Sequence, residues 1–173
     1  MKFSVPQAVE ILRQTPSTLA ALLGDLSSDW TVGTGDKNDW DPIAVVGHLI
    51  HADETDWIPR AEVILSQAGD RTFPDFDRFG QFDKFEGKSL EFLLAEFASV
   101  RKTCLETLLA WQLTPVQLDL KGIHPAFGEV SLEQLLATWV VHDLGHIKQI
   151  VTYLAKKYSD VVGPWKEYLS ILR

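Results

Sequence analysis

Apolar residues recur along this chain at the three- and four-residue steps that place them on one side of an α-helix, and they do so in four long segments. The first opens at Ser4-Val5-Pro6-Gln7, which reads as a capping box with proline in the first turn, and carries Val9 and Leu12 inward. Thr15-Pro16 interrupts it, because proline removes a donor and crowds the preceding turn, and Leu19, Leu22, Leu23 and Leu26 then resume the stripe. The pattern predicts one kinked helix or two abutting ones. Asp41-Pro42, an N-cap followed by proline at the first helical position, starts a second helix through Val45, His48, Leu49, Ala52 and Trp57, which Pro59 kinks or divides before residues 61–67. Ser89 caps a third, with Leu93, Phe97, Val100, Cys104, Leu108 and Trp111 on one face. A second capping box, Ser131-Leu132-Glu133-Gln134, opens a fourth that runs to about Lys157 with Leu135, Trp139, His142, His146, Ile150 and Tyr153 on its inner row.

The connections are punctuated by turn formers. Gly33, Gly35, Asp36, Asn38 and Asp39 mark residues 27–40 as a loop, and Lys121-Gly122-Ile123-His124-Pro125-Ala126-Phe127-Gly128 reads as a connection without regular structure. Residues 68–88 carry Phe73, Phe76, Phe79, Phe82 and Phe85 among Asp and Gly; exposing five phenylalanines is unfavourable, so this loop is expected to pack across the helices rather than to serve as a lid. Gly163-Pro164 breaks the chain before a short amphipathic tail at residues 165–172. With no strand run, the expectation is an all-α, four-helix bundle with a short extra C-terminal helix, in one domain spanning residues 1–173.

Charge narrows the partners. The formal net charge is -8 and no Lys/Arg run exceeds Lys156-Lys157, which argues against nucleic acid bound through phosphate neutralisation. No apolar run approaches the roughly 20 residues that span a bilayer, the first residues lack a signal-peptide core, and the lone Cys104 excludes an internal disulfide. The negative balance favours a neutral or cationic small-molecule partner, or simply solubility, and a cytoplasmic protein with no membrane contact is expected.

The chemistry concentrates in Trp139-Val140-Val141-His142-Asp143-Leu144-Gly145-His146. Side chains four apart on a helix point about 40° apart, so both imidazoles replace apolar groups in a core-facing row, where unpartnered polar groups are costly. His48 occupies an equivalent place on the second helix. Three imidazoles with positions left open suit a reactive metal site; three unrelated core histidines are the competing reading. His51 sits three residues on, able to border such a site or act as a base; Asp143 is expected in a solvated or capping role, Cys104 in the core, and His124 in a loop near the cavity mouth. No Gly-x-Ser-x-Gly, phosphate-cradling loop, His-Glu-x-x-His or Glu-x-x-His pattern is present, which removes zincin peptidase and di-iron readings. No clear general-base carboxylate stands out.

Three stretches together resemble the DinB-like (DinB/YfiT) superfamily of metal-binding four-helix bundles: Trp40-Asp41-Pro42-Ile43-Ala44-Val45-Val46-Gly47-His48-Leu49, then His124 through Leu132, then Trp139 through Ile150 with its His-x-x-x-His-x-x-Gln-Ile spacing. The resemblance implies an up-down-down-up bundle, often a homodimer, that binds a divalent metal ion, nickel or zinc foremost and Fe, Mn or Cu as alternatives, through His48, His142 and His146. It also implies a metal-dependent transferase using a low-molecular-weight thiol. A metal-dependent hydrolase, or a non-catalytic bundle that binds metal or a small ligand, is the alternative.

Overall fold

The computed structural model describes residues 2–33 and 40–173, so residues 34–39 of the expected loop lie outside the described residues. Helix α1 (Val5–Leu23) is a single helix with Pro16 inside it. Ser4 is its N-cap, but its side chain makes no cap bond, and Thr15 Oγ1 donates back to the Ile11 carbonyl at 3.3 Å instead of starting a new helix. Continuity through the proline has a local reason. Pro16 cannot donate to the carbonyl four residues earlier, that of Leu12, and Arg101 Nη1 donates there instead at 2.9 Å.

A single helical turn, α2 (Ser28–Thr31), lies in the stretch expected to be loop. Asp41 then caps α3 (Pro42–Ala52): one carboxylate oxygen accepts from Ala44 N at 2.8 Å and the other from Gly33 N at 2.8 Å. A π-helical turn at Asp53–Trp57 joins α3 to α4 (Ile58–Ser66). Pro59 therefore neither kinks nor divides the segment in the ordinary way; the wider turn falls where the proline cannot donate to the Thr55 carbonyl.

Helix α5 (Gly80–Lys84) occurs within the phenylalanine-rich loop, where interleaved Asp and Gly argue against helix. Helix α6 (Leu90–Ala110) starts at Ser89, whose hydroxyl accepts from Phe92 N, and the short α7 (Pro115–Leu118) follows a Thr114 capping box. Helix α8 (Leu132–Lys156) has the predicted capping box, with Gln134 N donating to Ser131 Oγ at 3.1 Å and Ser131 N donating to Gln134 Oε1 at 2.8 Å. Two 3₁₀ segments, Gly163–Tyr168 and Ser170–Leu172, form the expected C-terminal tail.

The stretch before α8, expected to be irregular, is an antiparallel hairpin of β1 (Lys121–His124) and β2 (Gly128–Ser131). Its glycines are placed for geometry. Gly128 turns the hairpin at φ +72°, and a side chain at Gly122 would meet the Phe73 ring at 2.5 Å. Phe73 N donates to the Ile123 carbonyl at 2.9 Å, so the phenylalanine-rich loop enters alongside the hairpin. That loop packs as expected: Phe73 is buried, Phe76, Phe82 and Phe85 are half-buried, and Phe79 stays exposed.

Helices α1 and α3 each pack on both α6 and α8, which puts α1 diagonally across from α3. One apolar cluster joins Val9 and Leu12 of α1, Ala61 and Ile64 of α4, Leu105 and Leu108 of α6, and Leu132 and Leu136 of α8. The other joins Leu19 and Leu23, Val45 and Leu49, Leu93 and Phe97, and Ile150. The first cluster takes the beginnings of α1 and α8 and the endings of the α3–α4 segment and α6; the second takes the opposite ends. Directions are therefore up, down, down, up.

Where the clusters meet lies a buried ionic layer. Arg101, on the inner face of α6, donates Nε and Nη2 to Asp53 at 2.6 and 3.0 Å and both terminal nitrogens to Asp143, besides the Leu12 carbonyl. All five guanidinium N–H groups are used. Trp139 Nε1 adds a bond to Asp53 at 3.1 Å. Asp143 is thus a fully buried ion-pair partner, not the solvated or capping residue expected, because the adjacent helix brings a cation to it. Among the described residues, no helix is long and apolar enough to cross a membrane.

Candidate metal centre

His48 reaches inward from α3 and His142 and His146 from successive turns of α8. His48 Nε2 lies 3.1 Å from His142 Nε2, which lies 3.1 Å from His146 Nε2. Zinc held tetrahedrally by imidazoles at 2.0–2.1 Å requires nitrogens about 3.3 Å apart, so the His48–His142 and His142–His146 pairs stand close to the separation a shared ion imposes, and all three donors lie within 4.8 Å of one another. Hydrogen bonding cannot account for the cluster as well. Gln149 Oε1 accepts from His146 Nδ1 at 2.8 Å, which fixes a lone pair on His146 Nε2. His142 Nε2 carries either one proton or one lone pair and cannot bond well to both neighbours. A cation satisfies all three nitrogens at once. Among the described residues this is the group of His, Cys and carboxylate side chains able to hold a metal ion, and no fourth such donor joins it.

Aromatic packing sets the ring positions. Trp40 lies against His48 at 4.8 Å and parallel to His146 at 6.4 Å; Phe76 meets His48 edge-on, and Trp57 meets His142 edge-on. Burial pushes His48 and His142 down to about 3, with the neighbouring imidazoles adding to the effect. Burial lowers His146 too, against the opposing Gln149 hydrogen bond. At neutral pH the rings are uncharged and their lone pairs available.

The triad forms part of the wall of a cavity of about 490 Å³. His48, Ala52, Asp56 and Arg60 line it at intervals of four residues. An α-helix would carry three such steps about 120° around its axis; the wider π turn takes back part of that rotation, so one face of the segment serves the cavity. Asp56 is ion-paired with Arg60 at 2.7 Å, and burial pushes its carboxyl up against the pull of that guanidinium. Arg78 from the phenylalanine-rich loop and His124 from the hairpin complete the mouth. His124 Nδ1 accepts from Ala126 N at 3.1 Å.

His51 does not join the cavity lining. Its ring packs on Phe76 at 5.3 Å, and its Nε2 donates to the Asp77 carbonyl at 3.0 Å. Cys104 is buried as expected, donates to the Asp53 carbonyl, and is pushed up by burial to about 12, so the chain's own sulfur is not a ready nucleophile. Sequence reasoning missed Asp56, Arg60, Trp57 and Arg78. Four-residue spacing from His48 was the available signal for Asp56 and Arg60.

The pattern of the DinB superfamily matches residues 11–150. Among solved structures, the chain is similar to YfiT from Bacillus subtilis, described as a probable metal-dependent hydrolase with an unusual four-helix bundle topology; identity is 17%, 90% of each chain is covered, and the TM-score is 0.72. Comparison with curated proteins gives no significant match.

Proposed function

The chain belongs to the DinB superfamily, and from that premise we propose that it holds a divalent metal ion through His48, His142 and His146 and is a metal-dependent enzyme acting on a small molecule in the adjoining cavity. The observation that carries this reading is the convergence of three uncharged imidazole nitrogens on a cavity wall with no fourth protein donor among the described residues. Three ligands with room beside them suit a reactive centre; a closed set of four suits a structural one. Nickel or zinc fits an all-imidazole set, and iron, manganese and copper are the alternatives.

The favoured reaction is transfer to a low-molecular-weight thiol. A divalent ion held by His48, His142 and His146 would supply the acidity that keeps a thiol as thiolate at neutral pH. In such a transfer the sulfur would form an S–C bond with an electrophilic carbon as the leaving group departs with its electron pair, the thiol proton passing to solvent at the mouth. Asp56 is ion-paired with Arg60, and Asp75 also lines the cavity. Thiol is favoured over water as the nucleophile because it is the stronger acid and would ionise more readily beside a bound divalent ion. Trp40, Phe76 and Trp57 would hold the apolar part of the electrophile. Metal-dependent hydrolysis is the second reading, supported by the description of YfiT.

Metal-loaded protein, monochlorobimane and a panel of biological thiols provide the test. Conjugation that stops on chelation, and is restored by metal, is the expected result. Metal uptake with no conjugation for any thiol, together with hydrolysis of ester or amide substrates, would transfer the assignment to the second reading.

A further inference from the structure

Two arginines line the cavity, and they differ in what holds them. Arg60 is buried, paired with Asp56 at 2.7 Å and bonded to the Pro74 carbonyl. Arg78 is exposed and pairs with no carboxylate among the described residues; its guanidinium lies 5.7 Å from the centre of the Trp40 ring. That same indole packs on His48 and parallel to His146, so the cation and two of the three imidazoles neighbour one ring. The charge of Arg78 is felt there, disfavouring protonation of both.

The backbone around Arg78 is fixed on both sides. Phe76 packs between His48 and His51, the Asp77 carbonyl accepts from His51 Nε2, and Asp77 Oδ1 accepts from Phe79 N at 3.0 Å. Farther back, Phe73 is buried beneath the hairpin. A loop serving only to cover apolar surface has no need to present an unpaired arginine at the cavity rim. Little order remains to be gained when a ligand docks, because the guanidinium already rests on an aromatic face. Its planar fork matches a carboxylate. Asp75 shares the mouth and opposes multiply charged anions such as polyphosphates.

We infer that Arg78 anchors the carboxylate of a small ligand whose other end reaches the His48–His142–His146 centre, so that the substrate class is a short carboxylic acid bearing a sulfur or oxygen donor a few bonds away. This rests on the metal-binding reading above. Arg78 is then a specificity residue contributed by the phenylalanine-rich loop, and that loop is a wall of the site as well as a cover for the helices.

The test uses cobalt(II)-loaded protein, whose absorbance reports thiolate ligation, titrated with 3-mercaptopropionate and with its neutral amide. The acid is expected to bind about tenfold tighter, as a charge-assisted hydrogen bond predicts. Arg78→Gln should reduce the acid to the affinity of the amide while leaving the cobalt stoichiometry and the circular dichroism spectrum unchanged. Equal binding by the unaltered protein, or a preference that survives Arg78→Gln, would overturn the anchor and leave the metal centre standing. If neither thiol changes the spectrum, the thiol reaction falls, and the anchor is judged from succinate against its monoamide: a preference lost in Arg78→Gln upholds it and no preference overturns it. A protein that takes up no cobalt overturns both readings.

Discussion

Asp143 follows His142 directly and turns its fully buried carboxylate onto both terminal nitrogens of Arg101. The same guanidinium reaches Asp53, at the start of the π turn that leads to the cavity residues Asp56 and Trp57. One cation thus ties α8, just beside the paired histidines, to the segment that carries His48. It also takes the carbonyl that Pro16 leaves free in α1, so all four long helices meet at Arg101.

Arg101→Met is therefore expected to be severely destabilising. It strands two buried carboxylates, and breaking a buried pair from one side costs about 3–5 kcal/mol. Asp143→Asn should cost less, about 1–2 kcal/mol, because the amide keeps an acceptor for Arg101 and leaves one positive and one negative charge in place of one positive and two negative. Urea unfolding of both variants checks the order. Equal losses would show that charge balance is not what holds this layer.

Gln149 is the side chain that orients a triad ring by hydrogen bonding, since Nδ1 of His48 and of His142 finds no acceptor among the described residues. Gln149→Ala should weaken metal binding about tenfold and leave the stoichiometry unchanged, the usual consequence of losing a group behind a ligand. His142→Ala should remove the ion altogether, because His142 stands between the other two donors. Elemental analysis and competition with a chromogenic chelator separate these outcomes. Bound metal unchanged in His142→Ala would mean that the triad is not the site.

Gly122 offers a test of how the loop is seated. A methyl group there would meet the Phe73 ring at 2.5 Å and Ile64 at 2.9 Å. Gly122→Ala should cost about 1–3 kcal/mol through overpacking. The damage should concentrate in the loop, because Phe73 anchors the stretch that presents Phe76 and Arg78 to the cavity. Faster proteolysis within residues 68–88, at temperatures where the helices persist, is the expected sign.

The triad was legible in the sequence because a histidine in an apolar row is conspicuous wherever it stands, and three such histidines on two stripes limit the ways of burying them. The ionic layer was not. Arg101 falls four residues after Phe97, on the inward face of α6, and Asp143 beside the paired histidines; each alone looks like a solvated residue until the helices are brought together. Asp53 continues the inward row of Val45 and Leu49, but a carboxylate in that row has no visible partner until Arg101 is brought to it. The hairpin was missed for a related reason. Gly122 and Gly128 carry the signature of chain breakers, and only the Phe73 ring above the first and the positive φ of the second show them to be parts of a strand pair. Helix α5 hid in the same way behind Gly80.

The histidines also make the metal-free protein sensitive to acid in a defined direction. Folded His48 and His142 hold their protons only near pH 3, whereas in the unfolded chain they bind them from about 6.5. As the pH falls through 6.5 the unfolded state therefore takes up protons that the folded state refuses, so stability falls with pH, and above about 7.5 these two groups contribute no slope. By pH 5 each group has cost about 2 kcal/mol, at 1.36 kcal/mol per unit. Asp53 works the other way. Burial pushes it up to about 6 from its ordinary 3.8, against the pull of Arg101, so below 6 the folded state gains a proton there that the unfolded state does not yet take. The loss from the histidines is thus clearest between pH 6.5 and 6 and partly offset below. His142→Asn removes one of the refused protons, and its plot of unfolding free energy against pH should be shallower by roughly half to three-quarters of a proton over that window. Chelated wild type and variant, compared by urea unfolding across pH 5 to 7.5, give the two slopes. Identical slopes would show that His142 is not held uncharged by its burial, and the account of three ready lone pairs at this centre would lose its electrostatic basis.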